Sequence, residues 1–191
     1  MHSQIFWNEI LFLQSIKVSA VYLKMMSEVW GVQIQSIVEI GVFKGRTSRL
    51  FRTLFPDAFL YLIDPWELYD EYLSVEAGPI SKIPGDYENA YREVKEAFEL
   101  DQKVKILRKT SMEALADVPD GIDLVYIDGN HSYFNVKQDI EHWFPKVRPM
   151  GMMSGHDYDA LSFPEVIQAV DEIFPENVVI GEDYTWLKQK T

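Results

Sequence analysis

The stretch VEIGVFKGRTS at residues 38–48 decides the fold of this chain. Apolar β-branched residues and a carboxylate, Glu39, lead into a turn that contains Gly41 and Gly45, and a helical pattern begins near Arg46. In open α/β sheets, ligands bind beyond the carboxyl ends of the strands, where glycines admit a close ligand and helix amides point toward it. The glycines alone favour a ligand site and a plain strand-to-helix turn about equally.

The rest of the chain repeats this alternation of strand and helix. Nearly all-apolar runs predict strands that are covered on both faces, and stripes of apolar residues at helical spacing lie between them. The last two strands are too close in sequence to be parallel neighbours, so they predict a hairpin. The pattern indicates an α/β fold: a mostly parallel sheet with helices on both faces and one antiparallel strand near the C-terminus. The predicted strands are Ser36 to Val42, Ala58 to Pro65, Val104 to Ser111, Ile122 to Gly129 and Pro149 to Asp157, before the closing segment VVIGEDYTWLKQ.

The length and the apolar content predict one domain. The chain has 191 residues, of which 47% are hydrophobic, enough for one sizeable core and too few for two ordinary domains. Within this single domain, residues 1–33 form a helical extension with apolar residues at helical spacing, which offers an interface for a homo-oligomer. Residues 66–86 lose all periodicity and predict a lid or substrate loop, in which Trp66, Tyr69 and Tyr72 would border the ligand site.

Charge and cysteine content restrict the function classes. The 30 acidic and 18 basic residues give a formal charge of -12, which argues against a nucleic-acid partner, because phosphate binding depends on clustered Lys and Arg. The absence of cysteine excludes disulfides, thiolate metal sites and a cysteine nucleophile. Glu9, Lys17 and Lys24 interrupt the apolar N-terminal segment, so it resembles neither a signal peptide nor a membrane span. A soluble cytoplasmic protein is the expectation.

The acid that ends the second strand indicates which ligand the turn holds. Asp64 follows Gly41 by about 20 residues, the spacing at which an acid accepts hydrogen bonds from ribose hydroxyls. A nicotinamide dinucleotide is disfavoured, since Phe43 stands where its pyrophosphate would require glycine, and Glu39 would repel diphosphate. The combination suits a ligand with an ammonium group and a ribose but no phosphate. S-adenosylmethionine has this composition.

These residues resemble the class I S-adenosylmethionine-dependent methyltransferases over about residues 36–190. The resemblance implies a Rossmann-like, doubly wound, seven-stranded sheet, with Glu39-Ile40-Gly41-Val42-Phe43-Lys44-Gly45 as the first cofactor motif and Asp64 at the ribose. This sequence departs from the commoner motif at Phe43, where the family usually has glycine. The cofactor-binding residues expected from the motifs and the loop are Glu39, Gly41, Val42, Phe43, Gly45, Asp64, Trp66, Ser111, Met112 and Asp128.

Two further motifs, IDGNHSY and SGHDY, resemble the macrolide-sugar O-methyltransferases related to macrocin O-methyltransferase. Asp128 and His131 lie just past the central strand, where a neutral imidazole could take a proton from an acceptor hydroxyl. His156 and Asp157 end the neighbouring strand and can converge with Asp128 on a divalent metal. The resemblance implies magnesium at Asp128 and Asp157 and a base at His131. His156 replaces a carboxylate of that family, so manganese, iron or zinc suits the set better.

The sequence therefore predicts a methyltransferase that methylates a hydroxyl group of a small acceptor, such as a sugar, with Asp128 and His131 in catalysis and a metal at Asp128, His156 and Asp157. Three alternatives stay open at this point: a metal-independent N-methyltransferase, a non-catalytic protein that binds S-adenosylmethionine, and, less favoured, an NAD-dependent oxidoreductase. The residues do not name the acceptor, because one fold serves many substrates.

Overall fold

The seven-stranded sheet of the protein follows the predicted plan. In the computed structural model, which describes residues 18–68, 81–83 and 85–191, the strand order is β3-β2-β1-β4-β5-β7-β6. The first five strands are parallel, and β7 is antiparallel to both of its neighbours, which confirms the predicted antiparallel strand. The strands are β1 (Ser36–Ile40), β2 (Phe59–Ile63), β3 (Val104–Leu107), β4 (Ile122–Ile127), β5 (Val147–Gly155), β6 (Val179–Ile180) and β7 (Trp186–Gln189).

Helices connect the parallel strands and cover both faces of the sheet. Two apolar clusters of buried residues result, one on each side of the strands. Short 3-10 turns follow α4 and α5, at Leu115–Asp117 and Phe144–Lys146. The helices are α1 (Val18–Val29), α2 (Arg46–Leu54), α3 (Asp86–Phe98), α4 (Ser111–Ala114), α5 (Tyr133–Trp143) and α6 (Pro164–Ile173).

The order of the strands reverses between β1 and β4. The chain runs from β1 outward through β2 to β3, and then returns to place β4 on the other side of β1. The connection after β1 therefore runs toward one edge of the sheet, and the connection after β4 runs toward the other. This divergence opens a crevice beyond the carboxyl ends of the two strands. Two ends meet closely there, since the Asp128 amide donates a hydrogen bond to the Ile40 carbonyl at 2.7 Å.

The helix α1 belongs to the core of the domain. Ala20 and Leu23 are fully buried, and the hydroxyl of Tyr126 in β4 donates a hydrogen bond to Ser19 Oγ at 3.1 Å. The predicted extension at residues 1–33 is thus an integral covering helix over residues 18–29, while residues 1–17 lie outside the described part. None of the helices in the described ranges is both long and apolar enough to cross a membrane.

Candidate functional site

The turn after β1 is fixed by close backbone packing. Gly41 has φ +88, and a Cβ placed on it would lie 2.1 Å from the Asp128 carbonyl oxygen. Any side chain here would force the ends of β1 and β4 apart. Gly45 also has a positive φ, of +66, and a Cβ there would lie 3.0 Å from a methyl carbon of Val94. Both glycines are therefore required by the shape of the turn.

The carboxylate of Asp64 holds this turn from the end of β2. Its Oδ2 accepts hydrogen bonds from the amides of Val42 and Phe43 at 2.9 and 2.8 Å, and its Oδ1 accepts one from the Trp66 amide at 2.6 Å. Burial raises the pKa of Asp64, while these three amides and the charge of Arg108 act in the opposite direction. The predicted ribose acid is thus also the brace of the glycine turn.

Phe43 occupies a left-handed backbone conformation, with φ 45. Glycine adopts this conformation without strain, which explains in physical terms why glycine is common at this motif position. Here the strained residue is held on three sides: by Asp64 at its amide, by Trp66 Nε1 at its carbonyl (2.7 Å) and by the ring of Tyr87, 5.8 Å between centroids. Surrounding contacts therefore replace the freedom of glycine.

Trp66 lies inside the domain, with 1% of its surface exposed and its ring 5.0 Å from that of Tyr91. It braces the turn, and its predicted contact with the cofactor stays a prediction. Tyr69 and Tyr72, with most of the predicted lid, lie outside the described residues.

Glu39 lies within β1, inside the predicted strand, and its side chain is buried. Its Oε2 accepts a hydrogen bond from the Ser48 hydroxyl of α2 at 2.6 Å. The carboxylate thereby ties the strand to the helix that follows the turn. Its predicted contact with an ammonium group stays a prediction.

The turn after β3 carries Ser111 and Met112, the predicted adenine positions. Ser111 is the first residue of α4, which begins with a complete capping box between Thr110 and Glu113. Its hydroxyl donates a hydrogen bond to Asp139 of α5, and burial raises the pKa of Asp139 to about 7. Asp139 was not recognised in the sequence, because a charged residue on an amphipathic helix usually faces solvent.

A group of one histidine and two carboxylates lies beyond β4 and β5. Asp128, His131 and Asp157 each offer a ligand atom, and these atoms lie within 4.8 Å of one another. His131 Nε2 is 2.8 Å from Asp157 Oδ2, the distance of an ion pair when the imidazole is protonated. Two oxygens and one nitrogen this close together fit a divalent metal of the manganese, iron or zinc type.

Asp157 is the centre of this group. It has φ 63, a left-handed backbone conformation, just after the end of β5. Burial alone would raise the pKa of Asp157, but contacts with His131 and His156 outweigh it and hold that pKa well below its usual range. Asp157 is therefore ionised at neutral pH, as a metal ligand or a partner of imidazolium must be.

The structure places His156 beside the group of three but outside it. Its Nδ1 forms a hydrogen bond with Asp157 Oδ1 at 2.9 Å, and its Nε2 lies 3.9 Å from Asp183 Oδ2. Both ring nitrogens thus face carboxylates, and metal ligation by His156 stays a prediction. The sequence gives no signal for Asp183, because Asp183 lies in an acidic segment of the kind that is typical of exposed turns.

Ser132 is the N-cap of α5. Its hydroxyl accepts hydrogen bonds from the Asn135 amide and from the Asn135 side chain, at 3.4 and 2.7 Å. Because the cap follows His131 directly, His131 lies in the loop between β4 and α5 and not within the helix.

A doubly wound sheet with an acid-braced glycine turn beside a carboxylate–histidine group defines a cofactor-binding α/β domain. A family model described as "Methyltransferase domain" matches residues 38–158, which is more than half of the chain. The chain belongs to this methyltransferase domain family.

One sequence relative and two proteins of known structure are similar to this chain. Uncharacterized protein y4gI of Sinorhizobium fredii is 46% identical over 54 residues, which cover 28% of this chain and 6% of that protein. The present chain thus spans a small part of that relative's length.

CalS11, a calicheamicin methyltransferase, has a TM-score of 0.65 at 19% identity, with 93% of this chain and 79% of that chain covered. Its apo structure, at TM-score 0.62, is described as a TDP-rhamnose 3'-O-methyltransferase. An O-methyltransferase of Bacillus cereus in complex with SAH has a TM-score of 0.60 at 14% identity, with 92% and 81% covered. At these identities the likeness shows the shared fold.

Proposed function

We propose that this protein transfers the methyl group of S-adenosylmethionine to a hydroxyl group of a small acceptor, such as a sugar. The observation that carries the proposal is that the turn braced by Asp64 and the group around Asp157 lie at the carboxyl ends of adjacent parallel strands. They are in direct backbone contact, because Gly41 packs against the Asp128 carbonyl. Membership of the methyltransferase domain family and the SAH complex of a protein with the same fold support the choice of cofactor.

The turn would hold the nucleoside part of the cofactor. Asp64 Oδ1 accepts only one of the amide hydrogen bonds described above, so a carboxylate lone pair is left for a ribose hydroxyl. Val42 and Phe43 direct their amides to Oδ2, which keeps the carboxylate oriented before any ligand arrives. The sulfonium of the cofactor supplies an activated methyl group, so the protein must chiefly align the acceptor and remove its proton.

His131 would be the base for that proton. Asp157 Oδ2 lies beside Nε2, which leaves Nδ1 as the nitrogen that takes the hydroxyl proton. The ionised carboxylate would stabilise the imidazolium that results. A sugar hydroxyl is the favoured acceptor because CalS11, which shares the fold, is described as acting on TDP-rhamnose.

A divalent metal would be held by Asp128 and Asp157, whose oxygens lie within the group of three. It would lower the pKa of the acceptor hydroxyl. The nitrogen nearest to this position belongs to His131, while the sequence predicted His156 as the ligand. A ligand His131 could not also be the base, so the two roles can be separated by experiment.

Manganese titration, monitored by electron paramagnetic resonance, distinguishes a base from a metal ligand at His131. If His131 is the base, His131→Ala keeps manganese affinity while turnover falls; if it is a ligand, both are lost. His156→Ala should weaken manganese binding only if the predicted ligand set is right. A wild-type protein that binds no manganese and works fully after exhaustive chelation would contradict a metal role altogether.

Cofactor binding tests the main proposal. SAH or S-adenosylmethionine should raise the melting temperature, whereas NAD should not. At a ligand concentration of 100 times Kd, the free energy of unfolding should rise by about 2.7 kcal/mol. Transfer of a labelled methyl group should then be measured on nucleotide-linked deoxysugars. Equal stabilisation by NAD would contradict the cofactor, and binding without transfer to any hydroxyl acceptor would favour a non-catalytic role.

Asp64→Ala refines this test. Loss of a hydrogen bond to a charged acceptor should weaken SAH binding by about 1.5 to 3 kcal/mol. Asp57→Ala is a matched control, because that carboxylate lies at the exposed amino end of β2. Unchanged SAH affinity in a folded Asp64→Ala protein would remove Asp64 from the cofactor site.

A further inference from the structure

The segment from Asp157 to Phe163 contacts His131 from two sides. Its first residue places Oδ2 2.8 Å from His131 Nε2, and its last residue packs its ring against the imidazole, with 4.7 Å between centroids and 47° between planes. One continuous segment therefore supplies both a carboxylate and an aromatic ring next to this histidine.

We propose that Phe163 is a positioning residue that fixes the ring plane of His131. The inference rests on the proposed role of His131 as base. The contact of Asp157 Oδ2 with Nε2 sets the ring plane only weakly, because Nε2 lies close to the axis of rotation about the Cβ–Cγ bond. An aromatic ring against one face of the imidazole restricts rotation about the Cβ–Cγ bond, so that Nδ1 keeps one direction.

Backbone hydrogen bonds within the segment hold its conformation. The amide of Asp159 donates a hydrogen bond to the Asp157 carbonyl, and the amide of Phe163 donates one to the Asp159 carbonyl, both at 2.8 Å. The Tyr158 amide anchors the segment to the Tyr184 carbonyl in the turn before β7, at 3.0 Å. The backbone of Phe163 is thus held by hydrogen bonds within this segment.

A second contact from the same region holds the chain on the other side of His131. Glu165, in the first turn of α6, accepts a hydrogen bond from the Tyr133 amide at 2.6 Å. Tyr133 is the first residue of α5 and lies two positions after His131. The backbone and the ring of the histidine are thereby both held by residues 163–165.

The test combines ring-current shifts with kinetics. In the free protein, Phe163→Ala should move the His131 ring proton resonances, and Phe163→Tyr should restore them. Turnover should fall about tenfold to a hundredfold in Phe163→Ala, the size expected when a catalytic group is misplaced by about 1 Å. KM for the acceptor and Kd for SAH should stay within about twofold. Leu161→Ala is the matched control, because Leu161 lies in the same segment with 95% of its surface exposed.

His131 resonances that do not move in Phe163→Ala would overturn the placement. A loss of turnover equal to that of Leu161→Ala, or one that Phe163→Tyr does not rescue, would overturn the positioning role. The resonance measurement needs neither cofactor nor acceptor. It therefore separates a failure of this inference from a failure of the proposed methyl transfer.

Discussion

The two ends of strand β4 each carry an aspartate, and the two have opposite surroundings. Asp123, at the amino end, is buried and fully paired: its Oδ2 accepts hydrogen bonds from the Gln35 amide and from the amide and hydroxyl of Ser36, all at 2.9 Å. Its Oδ1 pairs with the guanidinium of Arg148. Two backbone amides, a hydroxyl and a cation thus neutralise this carboxylate within the fold.

Asp128, at the carboxyl end, lies in a group of titratable side chains. It shares a small volume with Asp157 and His131, and three non-glycine residues nearby have positive φ: Phe43, Trp66 and Asp157. Such strain persists only where surrounding contacts enforce it, and it is common at ligand sites. The comparison shows that Asp123 is held by fixed donors and a cation, whereas Asp128 lies beside two other titratable side chains, the arrangement that the proposed chemistry requires.

The largest effect should follow from His131→Ala at the carboxyl end. Loss of a general base typically lowers turnover by 10² to 10⁴-fold, and Kd for SAH should change little. Single-turnover methyl transfer to a responsive acceptor measures this. His142→Ala is the control, since His142 lies on the exposed side of α5. Wild-type turnover in His131→Ala would leave the carboxyl end without a base among the residues assigned here.

A matched pair of glycines compares the packing of the two ends. Gly41→Ala should cost about 4 kcal/mol or more in free energy of unfolding, because its Cβ would lie 2.1 Å from the Asp128 carbonyl oxygen. Gly121, just before β4 at the amino end, has nearly the same φ of +87 but no atom within 4 Å of an added Cβ. Gly121→Ala should therefore cost only the conformational strain, about 1 to 2 kcal/mol.

Urea unfolding of both variants gives the difference directly. Equal losses would mean that the strand ends at Gly41 can separate at no cost. The close packing of the crevice would then not be essential to the fold.

Asp123→Ala should separate stability from function. Removing one partner from a buried charge cluster is expected to cost about 2 to 4 kcal/mol, below the range for fully buried pairs because Arg148 is partly exposed. Kd for SAH, measured where the variant is folded, should stay within twofold. A large loss of SAH affinity with little loss of stability would contradict the separation of the two ends.

The fold could be predicted because its signals are local. Apolar runs define the strands, and the short connection between the last two strands defines their antiparallel pairing. Strand ends were less accurate: the sequence placed β5 at Pro149 to Asp157, and the structure ends it at Gly155, since Asp157 turns away with a positive φ.

The sequence predicted which strand ends would meet at the candidate site, but not the contacts between their side chains. Asp128, His131 and Asp157 were expected together from their positions after neighbouring strands, and the structure brings them together. The orientation of His156 toward Asp183, the Phe163 ring on His131 and the bond from Ser111 to Asp139 depend on side-chain directions between distant segments. No spacing rule in the sequence encodes such contacts.

The smallest predicted effect concerns Asp139, a third kind of carboxylate in this comparison. It is as buried as Asp123, but the contact described for its side chain is the hydroxyl of Ser111, so burial raises its pKa to about 7 from an ordinary value of 3.8. His142, one turn further along the helix, lowers that pKa by its charge without reversing the shift.

Because the folded protein holds the proton more tightly than the unfolded chain, the stability contributed by Asp139 is complete below about pH 4 and is lost as pH rises toward 7. Asp139→Asn removes this dependence. Between pH 5 and 7.5, the free energy of unfolding of the wild type should fall by more than about 1 kcal/mol relative to the variant. Glu141→Gln, on the exposed face of the same helix, should run parallel to the wild type. Parallel curves for Asp139→Asn as well would mean that Asp139 is ionised in the fold, and that its burial is balanced by donors in the manner of Asp123.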